Sequence, residues 1–263
     1  IIDAYARLGL LDTDSKHARS IFWHRRIQAM RRLAFFAGPQ HRQLLVERGR
    51  DTHSIRILAA LALGRVGSAD EVVAVLKDLD LPRRIMEQPV YSMLSAMDQE
   101  RYAEVMGKWS SLLSPSLRRI LLEVAAQRAP DICERLLAMA GADASLEVRS
   151  GAARAAAKLG SRASFNLLLE LANDERFEVR AGVFHSLGNR GTDRAIDPLL
   201  KGTRDDNYWV RQSAAAALLE VGERGREALK EVSKSSTDRF ARDAARQELE
   251  RYQLFLDAKE MIA

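Results

Sequence analysis

The side chains best suited to catalytic or metal chemistry are few and scattered. Five histidines, His17, His24, His41, His53 and His185, fall at no spacing that would bring two of them to one metal ion. Cys133 is the single cysteine, so it has no intrachain disulfide partner, and its setting Ile132-Cys133-Glu134-Arg135-Leu136 reads as one position on an amphipathic helix. Glycine-rich phosphate loops, nucleophile elbows and paired cysteines are absent. Carboxylates occur so evenly that choosing two as an acid–base pair would be arbitrary. The sequence therefore assigns no catalytic residue, no metal and no cofactor.

What does recur is an arginine. Leu146-Glu-Val-Arg149, Phe177-Glu-Val-Arg180 and Tyr208-Trp-Val-Arg211 follow one another at intervals of 31 residues. Extending the interval both ways gives Arg25, Arg56, Glu87, Arg118, Arg149, Arg180, Arg211 and Arg242. Asp143, Asp174 and Asp205 stand six residues before three of these arginines, and Gly67, Gly160, Gly191 and Gly222 stand eleven after four of them. A guanidinium fork and a carboxylate form charge-assisted, often bidentate hydrogen bonds. The expected chemistry is thus a structural ladder, each arginine reaching an aspartate at a successive helix start. A ligand-binding column is the alternative, but an interface that must repeat at every step favours the structural reading.

Such a register needs helices to hold it. Alanine and leucine crowd segments such as 150–159 and 212–220, β-branched runs bounded by turn signals are scarce, and 47% of the 263 residues are hydrophobic against 29% charged, so the chain folds and helix is favoured nearly throughout. The aspartate suits a helix start, where a carboxylate meets orphan amides and the positive end of the dipole. The glycine suits a left-handed helix end. Between them lies one amphipathic helix, such as 147–159, and after the glycine a second, such as 163–172. One 31-residue hairpin cannot bury its apolar face alone, so neighbours must stack, with small residues such as Ala152, Ala153, Ala155 and Ala156 letting helices approach. The expected fold is all-α: an α-solenoid, a right-handed superhelix of about eight helical hairpins.

The columns Asp143, Val148-Arg149, Ala152-Ala153 and Leu159-Gly160, with their copies, resemble the HEAT repeat of the short bacterial type also found in phycobilisome lyases. The resemblance covers about residues 19–263 and implies the fold; the family includes scaffolds, lyase subunits and nucleic-acid enzymes, so it does not choose among functions. The paired His-Glu motifs of a HEAT-like metal hydroxylase are missing. A DNA-glycosylase-like activity would have to rest on Tyr208-Trp209-Val210-Arg211, where an aromatic and a cation could hold a base. Because this motif shares the ladder register, Trp209 is expected to pack between repeats.

Residues 1–18 read as an N-terminal capping helix or a linker from an absent upstream segment, since the chain starts at Ile1, and 19–263 as the repeat array. The array is irregular at about 80–140: Glu87 replaces the arginine, Leu81-Pro82 and Pro89 interrupt helix, and Ala129-Pro130 sits at a turn. Met86, Val90, Met93 and Met97 fall at helical spacing and are expected in the core. Residues 1–56 carry 11 Lys/Arg against 5 Asp/Glu, whereas the remainder carries 30 against 31. That local basicity, without a stripe along many repeats, disfavours a nucleic-acid track. In the segment 21–36, Trp23, Ile27, Met30, Leu33 and Ala34 would form a buried face with Arg26, Arg31 and Arg32 solvated. Alternatively the same arginines face anionic lipid beside a removed membrane anchor, and the opening 5–26 is similar to bacterial HEAT proteins tethered by an N-terminal helix. The expectation is a non-catalytic, cytoplasmic protein-interaction scaffold, possible partners including a membrane protein or the inner face of a membrane. The candidate contact residues are Trp23, Arg26, Arg31, Arg32, Tyr208 and Trp209.

Overall fold

The computed structural model describes residues 8–77, 87–108 and 114–262, and every regular element among them is helical. The chain divides into two compact units, Ile1–Ile132 and Cys133–Ala263. In the first, α1 (Leu10–Ala18) packs on α2 (Trp23–Phe36). There follow α3 (Arg42–Arg48), α4 (His53–Val66), α5 (Ala69–Lys77), α6 (Glu87–Ala96), α7 (Gln99–Gly107) and α8 (Pro115–Arg128). The first helices α2, α4, α6 and α8 stack each on the next, α3 and α5 lie against α4, and α5 also meets α7.

After α9 (Pro130–Gly141) the second unit continues with α10 (Leu146–Leu159), α11 (Arg162–Leu171), α12 (Phe177–Asn189), α13 (Ile196–Gly202), α14 (Tyr208–Glu220), α15 (Glu223–Ser235) and α16 (Arg239–Ile262). Again the first helices α10, α12, α14 and α16 stack in order, while α11 lies against α10 and α12, and α15 against α14 and α16. Each unit is therefore a stack of helical hairpins, the solenoid arrangement. The eighth first helix, α16, runs 24 residues.

The alanines do what their size allows: Ala152, Ala153, Ala155 and Ala156 on α10 and Ala214 and Ala215 on α14 are all buried. Glycine goes further at two positions, because a Cβ on Gly188 would lie 2.7 Å from Ala217 Cβ, and one on Gly202 would lie 2.8 Å from Ala214 Cβ. Gly160 and Gly191 take positive φ, 71° and 57°, as left-handed helix ends require, whereas Gly222, with φ 107° and ψ −154°, lies outside that region and leads into α15. Gly67 is not left-handed either: its φ is −80° and ψ 162°, an extended exit that any residue can adopt.

The aspartate column differs from expectation in detail. The N-cap residues are Ser145, Arg176 and Asn207, each two residues after the aspartate. Asp143, Asp174 and Asp205 instead accept the backbone N–H of those N-cap residues, each at 2.9 Å, forming turns that lead into the helix. The irregular region lies partly outside the described residues, including Leu81-Pro82 and Met86. Val90 and Met93 of α6, and Met97 just after it, are buried core residues. Pro130 opens α9 at a position where its missing N–H has no helical partner to lose.

Candidate interaction surface

Two complete rungs link the first helices of the second unit. Arg149 donates from Nη1 to the carbonyls of Asp143 and Ala144 at 2.9 and 3.1 Å, and from Nε and Nη2 to Asp174 Oδ2 and Oδ1 at 2.6 and 3.0 Å. Arg180 repeats the pattern one step on: Nη1 to the carbonyls of Asp174 and Glu175 at 2.8 and 3.3 Å, Nε and Nη2 to Asp205 at 2.8 and 2.9 Å. Each arginine thus closes the turn before its own helix and clamps the turn before the next. Burial alone would raise the Asp174 and Asp205 carboxyls, but hydrogen bonds from the arginine and a backbone amide outweigh it and hold both below the ordinary value.

In the first unit the register slips by one. Arg25 is exposed, with its guanidinium 5.4 Å from the centroid of the Phe22 ring. The rung is made by Arg26, whose Nη1 donates to the carbonyls of Ser20 and Ile21 at 3.0 and 2.9 Å and whose Nε lies 3.2 Å from Asp51 Oδ2. Those partners sit six and five residues before Arg26 and 25 after it, the same offsets as for Arg149 and Arg180. Arg56 Nη2 donates to the Asp51 carbonyl at 3.3 Å, and Arg242 Nη1 to that of Ser236 at 2.5 Å. Glu87, where the column departs from arginine, lies outside the residues whose side chains are described.

Arg211 keeps only half of the pattern. Its Nη1 donates to the carbonyls of Asp205 and Asp206 at 2.8 and 2.9 Å, but the residue 25 positions ahead is Ser236. Among the described residues Arg211 Nε is buried with no hydrogen-bond partner, in a residue only 9% exposed. A ring takes the place of a carboxylate: Phe240 lies 5.0 Å from the guanidinium carbon. Large exposed aromatics precede Arg211 on the same helix as well. Trp209 is 63% exposed and Phe240 62%, and Tyr208 meets Trp209 edge-on at 5.3 Å. Trp209 therefore does not pack between repeats, because its place in the first turn of α14, two residues before the buried Arg211, turns it outward.

The N-terminal candidates separate in the same way. Trp23 is 64% exposed and lies off the buried face, which Ala29, Met30, Leu33 and Ala34 make instead. Arg26 is committed to its rung rather than solvated, and Arg32 Nη2 lies 2.6 Å from the buried Asp14 of α1. Arg31 is exposed, as are Ile21 and Phe22.

A cleft of about 520 Å³ lies between the second helices α11 and α13, floored by Phe165, Leu169 and Phe184 and rimmed by Arg194, Asp197 and Lys201. The Arg194 guanidinium sits 4.7 Å over the Phe165 ring. Histidine and cysteine take ordinary structural places: His41 is buried and accepts the Gly38 N–H at 3.0 Å, and burial, followed by the Glu134 charge, pushes the Cys133 thiol up to about 12. Among the described residues no three His, Cys, Asp or Glu side chains gather to hold a metal ion, and no helix is long and apolar enough to cross a membrane.

Residues 131–220 and 166–250 match the family model for HEAT repeats. No curated protein matches the chain. Solved structures with similarity include the Escherichia coli protein YibA, 19% identical over 92% of this chain and 96% of that one with a TM-score of 0.49. An engineered protein aligns at 18% identity over 95% and 80% with a TM-score of 0.44. Human deoxyhypusine hydroxylase aligns at 17% over 96% and 99% with a TM-score of 0.37.

Proposed function

We propose that this HEAT-repeat protein is a non-catalytic scaffold that binds a protein partner. One observation carries the reading: Tyr208, Trp209 and Phe240 leave large aromatic surfaces in solvent on helices that are otherwise locked together. Exposed aromatic clusters rimmed by polar groups mark interaction sites, since rigid rings lose little entropy when covered. The cleft between α11 and α13 offers a second place for the same partner, apolar below and charged at its rim.

A photoreactive residue at position 209, compared with one at Gln253 on α16, tests this in the native cell. The scaffold reading expects a discrete protein adduct at 209 that is absent at 253. Recovery of nucleic acid alone, with capture falling steeply as salt rises, would replace it with a nucleic-acid-binding function.

A second reading concerns location. Ile21, Phe22 and Trp23 form three successive exposed apolar residues, followed by exposed Arg25 and Arg31, which suits the cytoplasmic face of an anionic membrane. Sedimentation with phosphatidylserine–phosphatidylcholine vesicles, but not with phosphatidylcholine alone, would support it; loss of the difference in Trp23→Ala is expected, and equal sedimentation with both vesicles would refute it.

A further inference from the structure

We infer that Arg211 is an open rung that takes a carboxylate from outside the chain, an Asp or Glu side chain of a partner whose neighbouring apolar residue covers Trp209 and Phe240. The inference rests on the scaffold reading and gives its partner a chemistry.

The argument starts from identical parts. Arg149, Arg180 and Arg211 share an Nη1 edge fixed by two carbonyls, so the three forks are oriented alike. At the first two the remaining Nε and Nη2 edge is met by both oxygens of an aspartate. At Arg211 the chain supplies Ser236 at that place. Ser236 reproduces the aspartate's other tasks: its carbonyl accepts from Arg242, and its Oγ accepts the Asp238 N–H at 3.3 Å. It lacks the carboxylate that would reach the arginine. A buried guanidinium N–H without a partner forfeits the hydrogen bond and the charge compensation that its burial calls for, and here the Arg211 Nε lies under a ring that is itself mostly in solvent.

That ring selects among ligands. Rotation of Phe240 about its side-chain bonds uncovers the edge, and a carboxylate then makes the two parallel bonds already seen twice in this unit. Once displaced, Phe240 flanks the entering side chain, so an aromatic or branched aliphatic residue beside the acid gains a surface, and the exposed Trp209 in the first turn of the same helix as Arg211 offers a second ring. Exposed Arg239, one residue before Phe240 and 3.7 Å from Asp243 Oδ2, favours an acidic segment, while Asp238 beside it already accepts the Phe240 N–H at 2.8 Å.

The test uses a random displayed peptide library selected on the full chain, with affinities of the enriched peptides then measured on variants. Ser236→Asp closes the rung from within, and Trp209→Ala removes the flank without touching it. The expected result is enrichment of an acidic residue adjacent to an aromatic or leucine. These peptides should bind Ser236→Asp and Trp209→Ala at least tenfold more weakly, while Ser236→Asp melts no lower than the parent. Unchanged affinity for Ser236→Asp overturns the inference, as does enrichment of peptides with no acidic residue. Arg211-dependent binding of inorganic phosphate or oligothymidylate without peptide binding overturns it too, in favour of a phosphate site. If position 209 captures a protein in the cell yet peptide binding ignores Ser236→Asp, this inference fails and the scaffold reading stands.

Discussion

The same substitution at two glycines of one helix should have opposite effects. Gly182 and Gly188 both lie in α12, and replacing glycine by alanine in a helix interior is worth about 1 kcal/mol in propensity. At Gly182 nothing lies within 4 Å of the added Cβ, so Gly182→Ala should stabilise the chain by about 0.5–1 kcal/mol. At Gly188 the added carbon meets Ala217 Cβ at 2.7 Å and Ala217 Cα at 2.8 Å, the backbone of α14 in the next repeat. No side-chain rotation relieves that contact; α12 and α14 must separate, and overpacking of this kind costs about 1–3 kcal/mol. Net of the propensity gain, Gly188→Ala should destabilise by up to about 2 kcal/mol. Urea denaturation followed by circular dichroism measures both, with the midpoints moving in opposite directions. Midpoints that rise together would show that the first helices do not approach as closely as this packing requires.

Three further effects follow from the charged groups. Arg26→Ala should lower the melting temperature by several degrees while Arg25→Ala leaves it nearly unchanged; the reverse order would return the first rung to Arg25. Glu248 is buried beside Arg251, and burial outweighs that pairing to raise its carboxyl above the ordinary value. Its ionised form is thus disfavoured in the folded chain, so Glu248→Gln should raise the melting temperature at pH 7 and make no difference below about pH 4. A melting temperature that falls at pH 7 would contradict this sign. Asp174 and Asp205 are depressed, so their contribution is fully present above the ordinary aspartate value of about 3.9 and is lost as pH falls below it. The double variant Asp174→Asn/Asp205→Asn should be less stable at pH 7 and show a flatter loss of stability into acid, checked by melting between pH 2 and 7.

Much of this architecture was legible because a stack of hairpins imposes the same demands at every step. The 31-residue interval locates all eight first helices, and alanine and glycine mark where helices touch. The first rung was misread because its repeat is one residue out of phase. The signal that finds it is the aspartate 25 residues ahead, which Arg26 has in Asp51 and Arg25 does not. The same rule marks Arg211, whose position 25 ahead is Ser236, and Arg56, whose position 25 ahead is Leu81, as steps without the aspartate. Exposure was harder to read. Trp23 and Trp209 sit in the first turns of their helices, where a residue spaced for the buried face can still point past the end of the neighbouring helix. The cleft depends on how α11 and α13 diverge, which side-chain volumes along several helices decide together and no local pattern encodes.

That the arginine register is a structural ladder is tested most directly by a double-mutant cycle on Arg180 and Asp205, unfolding the parent, Arg180→Ala, Asp205→Ala and the double variant in urea. The partly buried bidentate pair, with bonds of 2.8 and 2.9 Å, should show a coupling of about 2 kcal/mol. A coupling below about 0.5 kcal/mol would place the pair among surface ion pairs that contribute little, and the ladder would no longer explain why arginine recurs.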